Sequence, residues 1–208
     1  SNGKNTGRCK SSDRCLCSTV PTPAPTPAPA IQADGTCDFE STSCSLLLNA
    51  ATGDKFDWIR RSGKTPSSGT GPTAAADGKH YMYIETSCPR RKGDKAILKT
   101  PPLIAGATTT LSFKYHMFGS NIETLEVLFG KDKVWEKKGD QGNAWKEATV
   151  SLGKFSGQTA ELSLVGTRGS SYRGDIAIDT VAISTPGGGG GAPSTTLAPT
   201  PEPTPEPT

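Results

Sequence analysis

Apolar and polar residues alternate with a period of two in the middle of this chain, and this pattern limits its fold more than any other feature. In residues 111–117 (Leu-Ser-Phe-Lys-Tyr-His-Met) every second side chain is apolar, as expected for a strand with one face against a core. The same period recurs at 125–129, 146–152 and 160–164. Gly, Asp and Asn turns separate these segments, and no stretch shows a helical period. The pattern predicts an all-β domain, either an antiparallel sandwich or a barrel.

Proline and glycine divide the chain into regions. The 208 residues include 17 Pro and 24 Gly, which concentrate in 21–30 and 186–208, and only 33% of the chain is hydrophobic. Repeated Pro-Thr and Pro-Ala pairs favour an extended polyproline II conformation without a core. We therefore expect one folded domain at 36–185 between two disordered linkers, a Pro-rich one at 21–35 and a Gly-rich, then Pro/Thr/Glu-rich one at 186–208. Each linker is either an O-glycosylated stalk or a plain spacer.

Six cysteines, at positions 9, 15, 17, 37, 44 and 88, indicate an oxidising compartment in a chain with Thr/Pro tracts. Reduced thiols or a zinc site are the alternatives, but the spacing of Cys9, Cys15 and Cys17 is poor for zinc and no His lies near them. Residues 1–20 look like the closing end of a small cysteine-rich module, such as an EGF-like one. We expect a piece of a longer protein that is secreted, or that forms the extracellular part of a membrane protein.

Charge and motif content exclude several function classes. The net charge of +3 is not concentrated in any region, which argues against nucleic acid as a partner. No apolar run approaches the ~20 residues that a membrane span needs, so we expect no direct membrane insertion by this segment. The sequence contains no His-Glu-x-x-His, Gly-x-Ser-x-Gly or phosphate-loop signature. We therefore predict no catalytic residues, and neither His80 nor His116 is expected to act as a base.

A series of short motifs across residues 37–185 resembles the MAM domain, an extracellular module of receptor tyrosine phosphatases, meprin-type proteases and neuropilins. The motifs follow the family's order: Cys-Asp-Phe-Glu at 37–40, Phe-Asp-Trp at 56–58, Gly-Thr-Gly-Pro at 69–72, Tyr-Met-Tyr-Ile-Glu at 81–85, Gly-Asp-Lys-Ala at 93–96, Phe-Lys-Tyr-His-Met at 113–117, Gly-Asp-Gln-Gly at 139–142 with Trp145, and Gly-Asp-Ile-Ala-Ile-Asp at 174–179. The resemblance implies a jelly-roll-like sandwich of two antiparallel sheets and a role in adhesion or oligomerisation.

The resemblance also implies a disulfide bond between Cys37 and Cys44, which closes a short loop and contributes about 2–4 kcal/mol. MAM domains usually carry a further pair of cysteines, one before the Leu-x-Phe-x-Tyr strand and one at the end of the domain. Thr110 and the residues near Thr185 stand at those places here, so this second bridge is absent. Cys88 is left to pair with one of the amino-terminal cysteines or with another chain, and the sequence leaves the choice open.

Carboxylates in the matched motifs are candidates for a metal site: Glu40, Asp57, Asp175 and Asp179. A strand period of two places Asp175, Ala177, Asp179 and Val181 on one face, where at least one acid points towards apolar neighbours. A buried carboxylate requires a basic partner, backbone donors or a cation. Oxygen ligands from several segments suit Ca²⁺, and some MAM domains hold a cation near such acids. The alternative is that these residues cap turns or pair with Lys and Arg.

A basic turn follows at residues 89–95 (Pro-Arg-Arg-Lys-Gly-Asp-Lys). Its charged side chains, Arg90, Arg91, Lys92 and Lys95, are either solvated or contacts for an anionic partner such as a sulfated glycan. The tryptophans at 58, 135 and 145 are expected to pack against sheets rather than to stack on sugars.

Together these observations predict a non-catalytic extracellular recognition module that contacts either other proteins or further copies of itself. The sequence leaves two alternatives open: a carbohydrate-binding accessory module of a larger secreted enzyme, and a structural component of an extracellular matrix.

Overall fold

The computed structural model describes residues 31–32, 34–41 and 44–185. The strands, in chain order, are β1 (Ile31–Gln32), β2 (Gly35–Cys37), β3 (Leu48–Asn49), β4 (Ile59–Ser62), β5 (His80–Ile84), β6 (Lys95–Lys99), β7 (Leu103–Ile104), β8 (Thr110–Met117), β9 (Ile122–Phe129), β10 (Asp132–Lys138), β11 (Gly142–Ser151), β12 (Thr159–Ala160), β13 (Leu162–Arg168) and β14 (Ile176–Ser184). One short 3-10 helix spans Gly153–Phe155. In this part of the chain, no helix has the length and apolar character needed to cross a bilayer.

Two antiparallel sheets form the body of the fold. The five-stranded sheet has the order β10-β9-β13-β6-β3. The six-stranded sheet has the order β11-β8-β14-β5-β4, with β2 paired to β14 beside this path. A small third sheet, β1-β7-β12, contains one parallel pair, β1 with β7. The predicted all-β sandwich of two antiparallel sheets is thus confirmed.

The alternating strands supply the core between the two sheets. In β8, Leu111, Phe113 and Met117 are at most 1% exposed, and in β9, Leu125 and Val127 are fully buried. These side chains belong to one continuous apolar cluster with residues of both sheets. Burial of each Leu, Val or Phe side chain contributes about 1.5–3 kcal/mol, so the core is the main source of stability.

A β-bulge in β14 changes which residues face this core. Thr180 adopts a left-handed backbone with φ 48°, and the register with β8 shifts between Asp179 and Ala182. Ile176 and Ile178 face the core before the bulge, whereas Val181 faces it afterwards. The prediction that Val181 shares a face with Asp175 and Asp179 was therefore wrong, because the extra residue reverses the strand's alternation.

The chain enters and leaves the sandwich at one corner. Strand β2 pairs antiparallel with the end of β14, with Gly35 opposite Ile183. The Thr185 amide donates to Asp34 Oδ1 at 2.7 Å. Strands β1 and β2 begin inside the segment 21–35 that the sequence assigns to a linker, because no proline after Pro29 removes an amide donor there. The segments predicted at 1–20 and 186–208 lie outside the described residues.

Candidate functional site

The outer face of the five-stranded sheet, here called the open face, carries both aliphatic and charged side chains. Paired residues form rows across the strands, because residues opposite each other in a ladder point to the same side. One row runs through Lys133, Leu128, Ser163, Lys99 and Leu48, and a second through Glu136, Glu126, Val165 and Ile97. The four aliphatic members, Leu48, Ile97, Leu128 and Val165, are therefore neighbours on one surface.

Ion pairs surround these aliphatic side chains. Lys133 Nζ lies 2.7 Å from Glu136 Oε2 and 3.3 Å from Glu126 Oε1. Further pairs join Lys95 to Glu126 at 3.7 Å, Lys99 to Glu161 at 3.1 Å and Lys138 to Glu123 at 3.4 Å. Four lysines thus meet four glutamates. The open face is electrically balanced although it carries many charges.

The aliphatic side chains of the open face differ in exposure. Val165 is 1% exposed but is not part of the core cluster, and Leu48, on the edge strand, is 56% exposed. Because lysine and glutamate stems cover apolar surface with their methylene groups, the flanking ion pairs can shield Val165. In the described ranges no segment is hydrogen-bonded across this face. Leu48, Ile97 and Leu128, which are exposed or partly exposed, are therefore available for contact with a partner.

The outer face of the six-stranded sheet is different, because residues 63–79, here called the covering loop, lie over it. Beneath the loop, Tyr81, Tyr83 and Ala177 form a second apolar cluster, against which Ala75 and Trp145 pack. The Tyr81 hydroxyl donates to the Gly63 carbonyl at 2.7 Å. Desolvation by burial raises the pKa of the Tyr81 phenol to about 12, with a further contribution from Asp175 that the Arg61 charge opposes. The apolar residues of this face therefore pack against other residues of the same chain.

Two of the predicted carboxylates fasten the covering loop. Asp179 Oδ2 accepts hydrogen bonds from the amides of Ala76 at 2.8 Å and Asp77 at 3.1 Å. Glu40 Oε1 accepts from the amides of Lys79 at 2.8 Å and His80 at 2.7 Å. These backbone donors lower the pKa of Glu40 to about 2. Both acids therefore act as backbone caps, one of the alternatives that the sequence left open.

Asp175 is fully buried at the other end of the same strand face. Its Oδ1 accepts from the Thr86 amide at 3.1 Å and from the Thr86 hydroxyl at 2.9 Å, while Oδ2 has no hydrogen-bond partner among the described residues. Desolvation raises the pKa of this carboxyl to about 6, and the Thr86 bonds oppose the rise. Asp175, just before β14, is therefore joined to the segment that follows β5.

Glu40, Asp175 and Asp179 each accept hydrogen bonds from backbone amides, and the structure does not bring the four predicted acids around a common centre. Asp57, the fourth, is exposed and lies beside Phe56 and Arg90 on another surface. Within residues 31–32, 34–41 and 44–185, no three His, Cys, Asp or Glu side chains are grouped so that they could hold a metal ion. The calcium site therefore stays a prediction.

The basic turn does not form a single cluster. The Arg90 guanidinium lies 4.8 Å from the centre of the Phe56 ring, and Lys95 pairs with Glu126 of the open face. Arg91 and Lys92 are exposed. Asp94 Oδ2 accepts from the Arg91 amide at 2.7 Å, which closes the turn. Only Arg91 and Lys92 project freely, so an anionic ligand for the whole set stays a prediction.

The structure contains the disulfide bond between Cys37 and Cys44, as predicted. Cys88 is an exposed free thiol in the described part of the chain, and its proposed amino-terminal partners, Cys9, Cys15 and Cys17, lie outside it. Trp58 is 2% exposed in the core, and Trp135 packs edge-on against Phe113 and Tyr115. Trp145 packs edge-on against Tyr81 but stays partly exposed.

Sequence reasoning missed the open face. Its charged residues, such as Glu126 and Lys99, occupy the polar positions of alternating strands. That pattern predicts which side chains point outwards, but it is the same in the strands of both sheets and does not distinguish one outer face from the other. Which outward positions are neighbours depends on strand order, and which face is covered depends on the long β4–β5 connection. The 17 residues between Ser62 and His80 were the available signal, because connections this long inside a domain are uncommon.

Comparison with known proteins agrees with this architecture. The family model described as "MAM domain, meprin/A5/mu" matches residues 37–187. The human MAM domain-containing glycosylphosphatidylinositol anchor protein 1 is 37% identical over 169 residues, which cover 73% of this chain and 17% of that protein. Human MAM domain-containing protein 2 is 31% identical over 185 residues, covering 84% of this chain and 24% of that protein. The chain thus spans less than a quarter of the length of these curated relatives.

Solved structures show the same type of fold at low sequence identity. A cleaved adhesin domain of Lys-gingipain from Porphyromonas gingivalis superposes with a TM-score of 0.53 at 18% identity, covering 74% of this chain and 99% of that chain. A second cleaved adhesin domain of Lys-gingipain has a TM-score of 0.51 at 16% identity, covering 74% of this chain and 100% of that chain.

Proposed function

The chain belongs to the MAM domain family, and from this premise we propose that it is an extracellular recognition module that contacts other proteins through the open face. The module does no catalysis in this proposal. One observation carries it: Leu48, Ile97 and Leu128 remain at least partly accessible inside a balanced frame of ion pairs. Surfaces with apolar side chains and a charged rim are typical of protein contacts.

An extracellular location is supported by the relatives and by the disulfide bond. Two human relatives, at 37% identity, are named as glycosylphosphatidylinositol anchor proteins, and such anchors attach proteins to the outer cell surface. The bond between Cys37 and Cys44 requires an oxidising compartment. Because the chain spans 17–18% of those relatives, their anchor and their partners are not carried over.

The charge pattern supports a protein partner over an acidic polymer. Each lysine of the open face already faces a glutamate, so a uniformly anionic ligand would meet as much repulsion as attraction. A protein surface with its own mixture of lysines and glutamates can exchange pairs across the contact, which gives specificity more than affinity. A second copy of this chain is the simplest such surface, and other cell-surface proteins are the alternative.

The test measures binding of beads coated with the chain to beads carrying the same chain and to cultured cells. Leu48→Lys, at an exposed position of the open face, is expected to weaken binding about tenfold or more, because it replaces an apolar contact side chain with a charged one. Ile59→Lys is the matched control, since Ile59 is also an exposed aliphatic residue, at 42%, but lies on β4 of the other sheet. Ile59→Lys is expected to bind like the wild type.

A second pair of variants tests the contribution of charged side chains to binding separately from that of the apolar ones. Glu126→Lys reverses a charge inside the open face, whereas Glu147→Lys reverses an exposed charge on β11. Loss of binding in Glu126→Lys alone supports the open face. Unchanged binding by both Leu48→Lys and Glu126→Lys would contradict the proposal. So would a wild-type chain that binds neither the beads nor the cells.

The basic turn supports a narrower second proposal, that Arg91 and Lys92 contact an anionic polymer. Both side chains are exposed, and neither has an acidic partner within 4.0 Å in the described part of the chain. Retention on heparin that falls in Arg91→Ala/Lys92→Ala but not in Lys133→Ala would support it. Equal retention of all three proteins would reject it.

A further inference from the structure

A cleft opens between the covering loop and the start of β11. Two adjoining cavities of about 300 Å³ and 170 Å³ have Pro72, Thr73 and Asn143 in common as lining residues. The covering loop lines one side, and residues 143–145 line the other. His116 of β8 also lines the smaller cavity. The cleft lies on the opposite sheet from the open face, so it is a separate site.

The walls of the cleft are fixed by hydrogen bonds within the chain. The Gly71 amide donates to the Phe118 carbonyl at 3.1 Å, and the Thr65 amide donates to the Pro72 carbonyl at 3.2 Å. Trp145 Nε1 donates to the Ala74 carbonyl at 3.0 Å, which ties β11 to the loop. A ligand would therefore find a preformed site and would lose little free energy in ordering it.

The cleft is almost free of charge. Of the residues that line the two cavities, only Lys64 and His116 are ionisable. His116 is 2% exposed, and desolvation lowers the pKa of its imidazole, which is therefore neutral at pH 7. The remaining lining residues are mostly Gly, Ala, Pro, Ser and Thr. This composition fits an uncharged ligand with hydroxyl groups better than an anion or a cation.

The neutral imidazole fixes the orientation of the Asn143 amide. His116 Nε2 lies 3.1 Å from Asn143 Oδ1, whereas His116 Nδ1 is buried without a partner among the described residues. Because the amide oxygen Oδ1 can only accept, Nε2 carries the proton and donates it to Asn143 Oδ1, and Nδ1 is the unprotonated nitrogen. The amide nitrogen of Asn143, an exposed residue, is then left to donate to a ligand.

An aromatic side chain stands next to this donor. Trp145 is held edge-on against His116 at 5.5 Å and Tyr81 at 5.8 Å, and part of its indole remains exposed in the cleft. Phe118 is also partly exposed there. A rigid ring beside an amide donor and the exposed hydroxyl of Thr73 matches a molecule with one apolar C–H face and a rim of hydroxyl groups.

We propose that this cleft binds one neutral sugar residue of a glycan. Asn143 donates to a sugar oxygen, Trp145 packs against the C–H face, and His116 is a positioning residue that orients the Asn143 amide. The proposal does not depend on the open face, so a failure of either leaves the other testable.

The test titrates the full chain with glucose, galactose, mannose and N-acetylglucosamine, followed by tryptophan fluorescence and saturation-transfer NMR. At least one sugar is expected to bind with a Kd of about 1 mM, as is usual for few contacts in a small cleft. Asn143→Ala is expected to weaken binding about tenfold, because it removes the donor. Asn121→Ala, which removes an exposed amide bonded to Ser170 instead, is the matched control and should not change the Kd.

A double-mutant cycle tests the positioning role of His116. His116→Phe keeps an aromatic ring but removes the donor to Asn143, and should weaken binding about as much as Asn143→Ala. If His116 acts through Asn143, the double variant is no weaker than either single variant. Additive losses would show that His116 has only a structural role and would overturn that part of the proposal.

Two results would overturn the sugar proposal as a whole. One is the absence of binding by all four sugars at about 20 mM, well above the expected Kd. The other is binding by Asn143→Ala with wild-type affinity. A synthetic peptide of residues 21–30 is included in the same titration, because proline-rich segments also dock beside tryptophan. Binding of this peptide at the cleft without any sugar binding would assign the cleft to peptides and reject the proposal.

Discussion

The two sheets of this domain shield their outer faces in different ways. The six-stranded sheet is covered by residues 63–79, under which Tyr81, Tyr83 and Ala177 are buried. The open face of the five-stranded sheet has no such cover in the described ranges, and Lys–Glu pairs flank its aliphatic side chains. The apolar outer surface of the six-stranded sheet contributes to folding, whereas part of the apolar outer surface of the five-stranded sheet remains available to a partner.

The largest expected effect comes from removing an aromatic ring under the covering loop. Tyr81→Ala is expected to lower the free energy of unfolding by about 3–5 kcal/mol, because it leaves a cavity and releases the bond to Gly63. Leu128→Ala, on the open face, is expected to cost at most about 1 kcal/mol, since Leu128 is already partly exposed. Urea denaturation measures both, and similar losses would show that the two faces do not differ in this way.

The buried carboxyl of Asp175 should give the covered side a characteristic pH dependence. Its pKa is raised from 3.8 to about 6 by desolvation, so between these values the folded protein holds a proton that the unfolded chain has released. The free energy of unfolding therefore rises as the pH falls through this window, by about 1–3 kcal/mol. Asp175→Asn should remove the rise. Desolvation also raises the pKa of Asp179, which acts in the same direction. Glu40 acts in the opposite direction, because its pKa is lowered from 4.5 to about 2 and its contribution to stability is lost as the pH falls below about 4.5.

Denaturation midpoints at about pH 7 and pH 5 measure this effect, because most of the Asp175 titration falls between them. Desolvation lowers the pKa of His116, which opposes this rise over the same range, so the wild type has to be compared with Asp175→Asn. A smaller gain in stability on acidification for the wild type than for Asp175→Asn would contradict the assignment. So would an Asp175→Asn variant with the wild-type slope.

A smaller effect is expected from the ion pairs of the open face. Glu126→Gln removes the partner of Lys95 and one of the two partners of Lys133, yet surface ion pairs contribute little, so the cost to folding should be below about 1 kcal/mol. The same variant should reduce partner binding more than stability. A loss of stability as large as that of Tyr81→Ala would mean that the open face is structural.

The smallest expected effect is that of calcium. If Glu40, Asp57, Asp175 and Asp179 held Ca²⁺, the ion would raise the melting temperature, and Asp179→Ala would lose the rise. Because both oxygens of Asp179 already accept amide hydrogen bonds, we expect a shift below about 1 °C in the wild type. Differential scanning calorimetry with Ca²⁺ and with a chelator decides between the two outcomes.

The sequence predicted the sandwich because the period of two is a local property that the strands retain, as in Leu111, Phe113 and Met117. It failed at Val181, because one left-handed residue, Thr180, reverses the alternation and the sequence gives no sign of it. It identified Asp175 and Asp179 as unusual, but not that backbone amides satisfy Asp179. It missed the open face and the His116–Asn143 pair, because both arise from strand order and from the path of residues 63–79.

The pairing of β2 with the end of β14 has a mechanical consequence. Chain that leads into residue 34 and chain that leaves residue 185 meet the domain at the same corner, beside hydrogen-bonded antiparallel strands. A force that pulls these two chain segments apart would break the hydrogen bonds one after another, rather than loading all of them at once in shear. The module would then lie beside a stretched chain, and force would detach β1 from β7 and β2 from β14 before it reached the sandwich core.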